Sequence, residues 1–343
     1  MRDSGKKLAR RSSHPAGPLP RLPPTLKHLS RSARRPAPAL LLSVALALVP
    51  ACASSGDTAT ESKPEPIDGA ALDRPKIQPE DPIGKFLADA DNAIYQWCKL
   101  ALTARTAAQK NQQRALEGVL VDRASRRCDE LIAELSGGPP INRIRAAAML
   151  GFSRKPEAQS PLLAALSDPY PDVVHNALLG LAVLGRADTP LDPICHAAEF
   201  AEDPQTRAQA AFALRSTVNA GGSGSCAVGT ARRGLADSEP FVRSQCALTL
   251  GLLGDAESVP AIEGQLQDER PHVQSAAVEA LLLLTERAPS SKGPVGRALV
   301  KAWGGADDEK PIKSLAMDAL VRIADVNYGP DLVLWVEWAN RLP

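Results

Sequence analysis

The chain has 343 residues, with 40 Lys and Arg against 39 Asp and Glu, and 44% of its residues are apolar. The charge is unevenly placed: residues 1 to 51 hold ten of the bases and one of the acids, so the remainder carries 30 against 38, a net charge of −8. An acidic body with scattered bases offers no phosphate-binding stripe, which argues against nucleic acid as a partner.

The first recognisable element is LLLSVALALV at residues 40 to 49, an apolar run too short to span a bilayer as a helix, preceded by a basic segment of almost forty residues without a second methionine. That pattern predicts the h-region of a signal peptide ending at residue 51, with the true start codon left open. Arg34 and Arg35 form a twin arginine, but PAPA follows where an apolar and a lysine position would be needed, so general secretion is expected. PACASS follows the run and resembles the bacterial lipobox. The resemblance implies that Cys52 is lipidated and becomes the mature N-terminus. With Ala53 next to it, the resemblance also implies the periplasmic face of the outer membrane where the source has two membranes. Residues 52 to 80 are polar and proline-rich with no apolar period, and read as a lipidated tether spanning on the order of 30 Å.

Residues 81 to 138 are expected to form an antiparallel helical hairpin. Asp81 and Pro82 make a helix start, and Ile83, Leu87, Ala90, Ile94, Trp97 and Ala101 form the first apolar stripe. A second stripe runs through Leu116, Leu120, Ala124, Cys128, Leu131 and Leu135, with QKNQQ at 109 to 113 as the expected turn. The hairpin either caps the helices beyond residue 138 or stands apart as a coiled-coil dimerisation arm.

From residue 139 a helical phrase recurs. Aligned on a leucine near the end of each first helix, its register falls at Leu150, Leu181, Leu214, Leu250, Leu281 and Leu320, at intervals of 31 to 39 residues. Four residues earlier stand Ala146, Ala177, Ala210, Cys246, Ala277 and Ala316, all small; eight earlier stand Val173, Val242, Val273 and Ile312, with Asn142 and Thr206 in the other two units. Periods of that size with one apolar face predict an all-α, right-handed solenoid of about six helix pairs over residues 139 to 343. Pro161, Pro190, Pro260, Pro294 and Pro330 suit the first turn of the second helices, and GGSGS at 221 to 225 replaces such a proline in the third unit.

These residues resemble the HEAT repeat family, and in particular the short HEAT-like repeats of phycobilisome lyases, most closely at Val242 to Glu269. The family pattern of an aspartate facing a base further on is matched by Asp237 with Arg243 and Asp307 with Lys313. Asp168, Asp203 and Asp268 have Val174, Gln209 and Gln274 where the base would stand. The resemblance implies that such pairs form a structural ladder between repeats.

Little in the sequence points to catalysis or metal binding. His175, His196 and His272 lack a histidine three or four residues away; Asp192 stands where a c-type haem site before Cys195 and His196 would need cysteine; and GGSGS lacks the lysine of a phosphate loop. Neither a metal nor another cofactor is expected. Cys98 with Cys128 is the first candidate disulfide and Cys195 with Cys226 the second, separate buried thiols being the alternative for each; Cys246 reads as a buried free thiol. Trp335 and Trp338 are either part of a capping helix or an aromatic contact for a partner. The expected function is therefore a non-enzymatic one: a lipid-anchored scaffold that binds a protein partner. An enzyme or cofactor handler of the phycobilisome lyase kind is the alternative, and export weighs against it because those lyases act in the cytoplasm.

Overall fold

The computed structural model describes residues 81–103 and 106–343; the apolar run, Cys52 and the tether lie outside the described residues. Among the described residues the regular structure is fifteen α-helices and four short 3-10 turns, with no strand, and no helix is long and apolar enough to cross a membrane.

Residues 81–137 form three helices rather than two, α1 (Ile83–Thr103), α2 (Ala107–Arg126) and α3 (Cys128–Gly137), of which the third pairs with the helix that follows it. QKNQQ is not the turn, because it lies inside α2. Thr106 starts that helix with a capping box, its hydroxyl accepting from the Gln109 amide at 3.2 Å while its own amide donates to the Gln109 side chain at 3.1 Å. A second break falls at Arg127. Its backbone leaves the helical region and its guanidinium donates to the Asp81 carbonyl at 2.8 Å and to Glu130, stacked over Phe86 at 4.6 Å.

The earlier turn separates Cys98 from Cys128. Cys98 lies about 10 Å of helix before the turn and Cys128 about 30 Å after it. The first candidate disulfide is therefore absent, and both residues are free thiols.

Beyond α3 the helices alternate between two layers. The front layer holds α4 (Pro140–Gly151), α6 (Pro171–Leu184), α8 (Pro204–Asn219), α10 (Pro240–Leu253), α12 (Pro271–Arg287) and α14 (Pro311–Ala324), each packed on the next. The back layer holds α3, then α5 (Gln159–Ala164), α7 (Asp192–Phe200), α9 (Cys226–Gly234), α11 (Val259–Gln265), α13 (Lys292–Gly305) and α15 (Leu332–Arg341). All six register leucines are fully buried, and so are the six small residues four positions before them. Small side chains there let the layers close; at the Cys246 position the room comes from Gly234, where an added Cβ would lie 2.3 Å from the thiol sulfur. Within the front layer the backbones nearly touch: a Cβ on Gly151 would meet the Gly180 carbonyl at 2.4 Å.

Every front helix begins on a proline, Pro140, Pro171, Pro204, Pro240, Pro271 and Pro311. Proline suits that place because the first helical amide has no partner to lose and the ring presets φ. These six, nine or ten residues before each register leucine, mark the repeat start as plainly as the leucines do.

The ladder between repeats exists, but its rungs join different residues from the expected pairs. Arg143 grips Asp168 at 2.9 and 3.2 Å, Arg207 grips Asp237 at 2.7 and 3.1 Å, and Arg243 grips Asp268 at 2.7 and 3.0 Å. Each base thus reaches the aspartate of the following repeat. The Asp237 that precedes Arg243 gives it only a main-chain carbonyl, at 2.9 Å. Each of these aspartates also accepts the amide two residues on, at Tyr170, Glu239 and Arg270, closing a turn ahead of the proline. In the second unit, where Val174 lacks a charge, His175 supplies the rung, with Nε2 2.7 Å from both Asp203 and Thr206. In the last unit Lys313 pairs with Asp308 and Asp307 with Lys310, both exposed, so the ladder ends at Asp268.

Trp335 corrects the partner-contact expectation. It is fully buried, donates from Nε1 to the Gly329 carbonyl at 3.0 Å, and stacks edge-on with Tyr328 and Trp338. Trp338 is half-buried, its ring lying against Gly296 of α13. Both rings close the end of the solenoid, and the apolar residues exposed on α15 are Leu332, Val333, Leu334 and Val336 instead.

Candidate binding cleft

The hairpin of α1 and α2 lies against the front layer. Trp97 meets Phe152 edge-on at 5.1 Å between centroids, and Asp91 faces Arg145 of α4 at 3.6 Å. A polar clasp completes the junction. Glu117 on α2 accepts from the Trp97 indole at 3.2 Å and from Arg154 at 2.6 Å, and Arg154 also donates to the Val183 carbonyl at the end of α6.

Arg154 holds that position with a left-handed backbone, φ 56°. It stands four residues after its register leucine, where the units of Leu181 and Leu250 have Gly185 and Gly254 at φ 60° and 69°. A non-glycine residue in this region is strained by an amount of order 1 kcal/mol, and such strain concentrates at functional sites. Here it accompanies a guanidinium that ties three elements together.

Beneath the clasp, between α2 and the C-terminal ends of α6 and α8, lies a cleft of about 200 Å³. Trp97, Gln113 and Glu117 form one wall, Arg154 and Val183 the second, and Phe212, Arg215, Ser216 and Asn219 the third. Arg215 is its most unusual component. The side chain is 5% exposed, its guanidinium lies over the Phe212 ring at 5.3 Å, and Nε is buried without a protein hydrogen-bond partner. Burial lowers its pKa to about 10, partly offset by the charge of Glu279 on α12, so it remains a cation at neutral pH. Burial in turn pushes Glu279 above the usual carboxylate range, with Arg215 and Arg322 pulling the other way.

The residues singled out by sequence fall elsewhere. Cys195 and Cys226 are joined in a disulfide between α7 and α9, with Cα atoms 6.3 Å apart. Cys98, Cys128 and Cys246 remain thiols, and burial pushes Cys98 and Cys246 up to about 12. Burial raises Cys128 as well, against a hydrogen bond with Ser153. Among the described residues no group of three or more His, Cys, Asp or Glu is placed to hold a metal ion. Arg215 carried a legible signal: it interrupts the apolar run AAFAL one residue after the register leucine, at a position facing neighbouring helices.

The fold and cleft together define an all-helical repeat scaffold, an architecture suited to binding proteins along stacked helix pairs. The family model described as HEAT repeats matches residues 128–215, 191–282 and 228–320, more than half of the sequence, and the chain belongs to the HEAT repeat family. The first match begins at Cys128, where α3 starts and pairs with α4. Among curated proteins none matches the chain.

Solved structures similar in fold include computationally designed armadillo repeat proteins for modular peptide recognition, at 16% identity and TM-score 0.44, covering 57% of this chain and 98% of theirs. The CpcE and CpcF complex of phycocyanin lyase from Nostoc sp. PCC7120 is similar at 20% identity and TM-score 0.39, covering 63% and 94%. Human deoxyhypusine hydroxylase is similar at 20% identity and TM-score 0.33, covering 73% and 93%. These likenesses concern the fold alone.

Proposed function

We propose that the protein is a membrane-tethered scaffold that binds a protein partner at the cleft under the α1–α2 hairpin, and that its role is binding rather than catalysis. The observation that carries this reading is the cleft itself, in which the left-handed Arg154 clasped to Glu117 lies beside the buried Arg215, whose Nε has no hydrogen-bond partner. The tether and the lipid at Cys52 come from the sequence pattern, and they would raise the local concentration of the cleft at the membrane surface.

Two experiments test it. A photo-crosslinking residue at Gln113, in the cleft wall, should capture one dominant partner in the native cells, while the same residue at Glu257, in the turn between α10 and α11 and outside the cleft lining, should not. Equal capture from both positions, or none, sinks the binding site. Metabolic labelling with palmitate should mark the wild-type chain and not Cys52→Ser, which should leave the membrane fraction; unlabelled wild type rules out the anchor.

A further inference from the structure

We propose that the cleft is a carboxylate-recognition site in which Arg215 receives a single carboxylate from the partner that binds there. This rests on the reading of the cleft as the binding site and adds the chemistry of the ligand.

Arginine has five N–H donors and no acceptor. Arg215 makes no ion pair within 4.0 Å with any described residue, although its side chain is 95% removed from solvent. The other cation of the cleft, Arg154, is already committed to Glu117 and the Val183 carbonyl. Arg215 is therefore the charge on offer. A buried and unpaired cation is a costly arrangement, and replacing it with an apolar residue would ordinarily be neutral or stabilising. Its presence is accounted for when a ligand supplies the missing anion.

Three features select a monocarboxylate. The planar guanidinium matches a carboxylate through two parallel hydrogen bonds. A single unpaired cation balances a single negative charge, since Arg154, the other cation of the cleft, is already neutralised by Glu117. A cavity of about 200 Å³ takes a short side chain or chain end, with Trp97 and Phe212 as apolar walls for its methylene groups. Gln113, Ser216 and Asn219 at the rim provide neutral donors and acceptors for a peptide backbone. An acidic side chain, the C-terminus of a peptide and a free small carboxylate share this chemistry.

Calorimetric titration of the full-length protein separates these sources. The probes are the capped pentapeptide Ac-Gly-Ala-Glu-Ala-Gly-NH2, its counterpart with Gln for Glu, Ac-Gly-Ala-Ala-Ala with a free C-terminus, and butyrate. At least one carboxylate probe should bind about tenfold more tightly than the Gln peptide, the difference expected of a hydrogen-bonded charge. Arg215→Met should abolish that preference while melting at or above the wild-type temperature, and Arg215→Lys should keep part of it. The proposal is overturned if no carboxylate probe is preferred, or if Arg215→Met keeps the preference. Binding of butyrate alone would support the carboxylate site and remove the peptide as its source. Capture of a partner from Gln113 without any carboxylate preference would sink this inference and leave the scaffold reading standing.

Discussion

Arg243 takes only the main-chain carbonyl of the aspartate six residues before it and grips the carboxylate of Asp268 in the next repeat, its Nε 2.7 Å from one oxygen and its Nη2 3.0 Å from the other. The two side chains are only 13% and 9% exposed, so this rung is not one of the surface ion pairs that contribute little to stability. Removing one partner strands the other's charge in a half-dry interface. Arg243→Met is expected to destabilise the protein by about 3 kcal/mol, and Arg243→Met with Asp268→Asn by clearly less. Urea denaturation of the two variants checks this; equal losses would mean that the charge pairing is incidental.

The ladder also sets the acid limit. Burial is the largest single influence on Asp203, Asp237 and Asp268 and opposes their charge, but hydrogen bonds and neighbouring charges together outweigh it. These come from Thr206 and His175 at Asp203, Arg207 and the Glu239 amide at Asp237, and Arg243 and the Arg270 amide at Asp268, leaving all three below their ordinary pKa. A carboxylate with a depressed folded pKa leaves the unfolded chain to take up protons first as pH falls. Its stabilisation is present above the unfolded value of about 4 and lost as pH drops through the folded one. The melting temperature should not change with pH on account of these groups between pH 6 and 8, where their stabilisation is complete, and should fall steeply below about pH 4, less steeply in Arg243→Met. A parallel fall in both proteins would remove the Asp268 rung from the explanation.

Glycines in this chain divide by what surrounds them. A Cβ on Gly151 would lie 2.4 Å from the Gly180 carbonyl oxygen and 2.7 Å from its Cα, backbone atoms that cannot move without parting α4 from α6. Gly151→Ala should cost about 2–3 kcal/mol, as overpacking does. Gly118, in the middle of α2 with nothing within 4 Å of its added Cβ, should behave oppositely, Gly118→Ala gaining about 0.5–1 kcal/mol from helix propensity. Thermal melts of the two variants must shift in opposite directions.

Thiol chemistry gives a separate readout. Alkylation of the native protein at pH 8 should leave Cys98 and Cys246 unlabelled, because burial holds their thiols near 12. Unfolding without reductant should expose them while Cys195 and Cys226 stay protected by their bond. Reduction should then lower stability by about 3–4 kcal/mol, the amount expected of a bridge spanning 31 residues of sequence. Peptide mapping by mass spectrometry decides it: label on Cys195 before reduction contradicts the disulfide.

The sequence by itself determined whatever repeats within one helix. A helix turns every 3.6 residues, so a leucine, a small residue four before it and an apolar one eight before it share a face whatever lies opposite. That is why Leu150 to Leu320 and Ala146 to Ala316 were legible as core, and all are buried. The N1 prolines were equally available to such a reading. Tertiary structure alone decided relations between units. The offset of one repeat against the next determines that Arg207 meets Asp237, 30 residues on, and not an acid of its own helix. The capping box at Thr106 determines where the hairpin turns, and with it that Cys98 and Cys128 stay apart. The cleft belongs to this second kind, because Trp97, Arg154 and Arg215 lie on elements more than fifty residues apart and acquire a common chemistry only where the hairpin folds back onto α6 and α8.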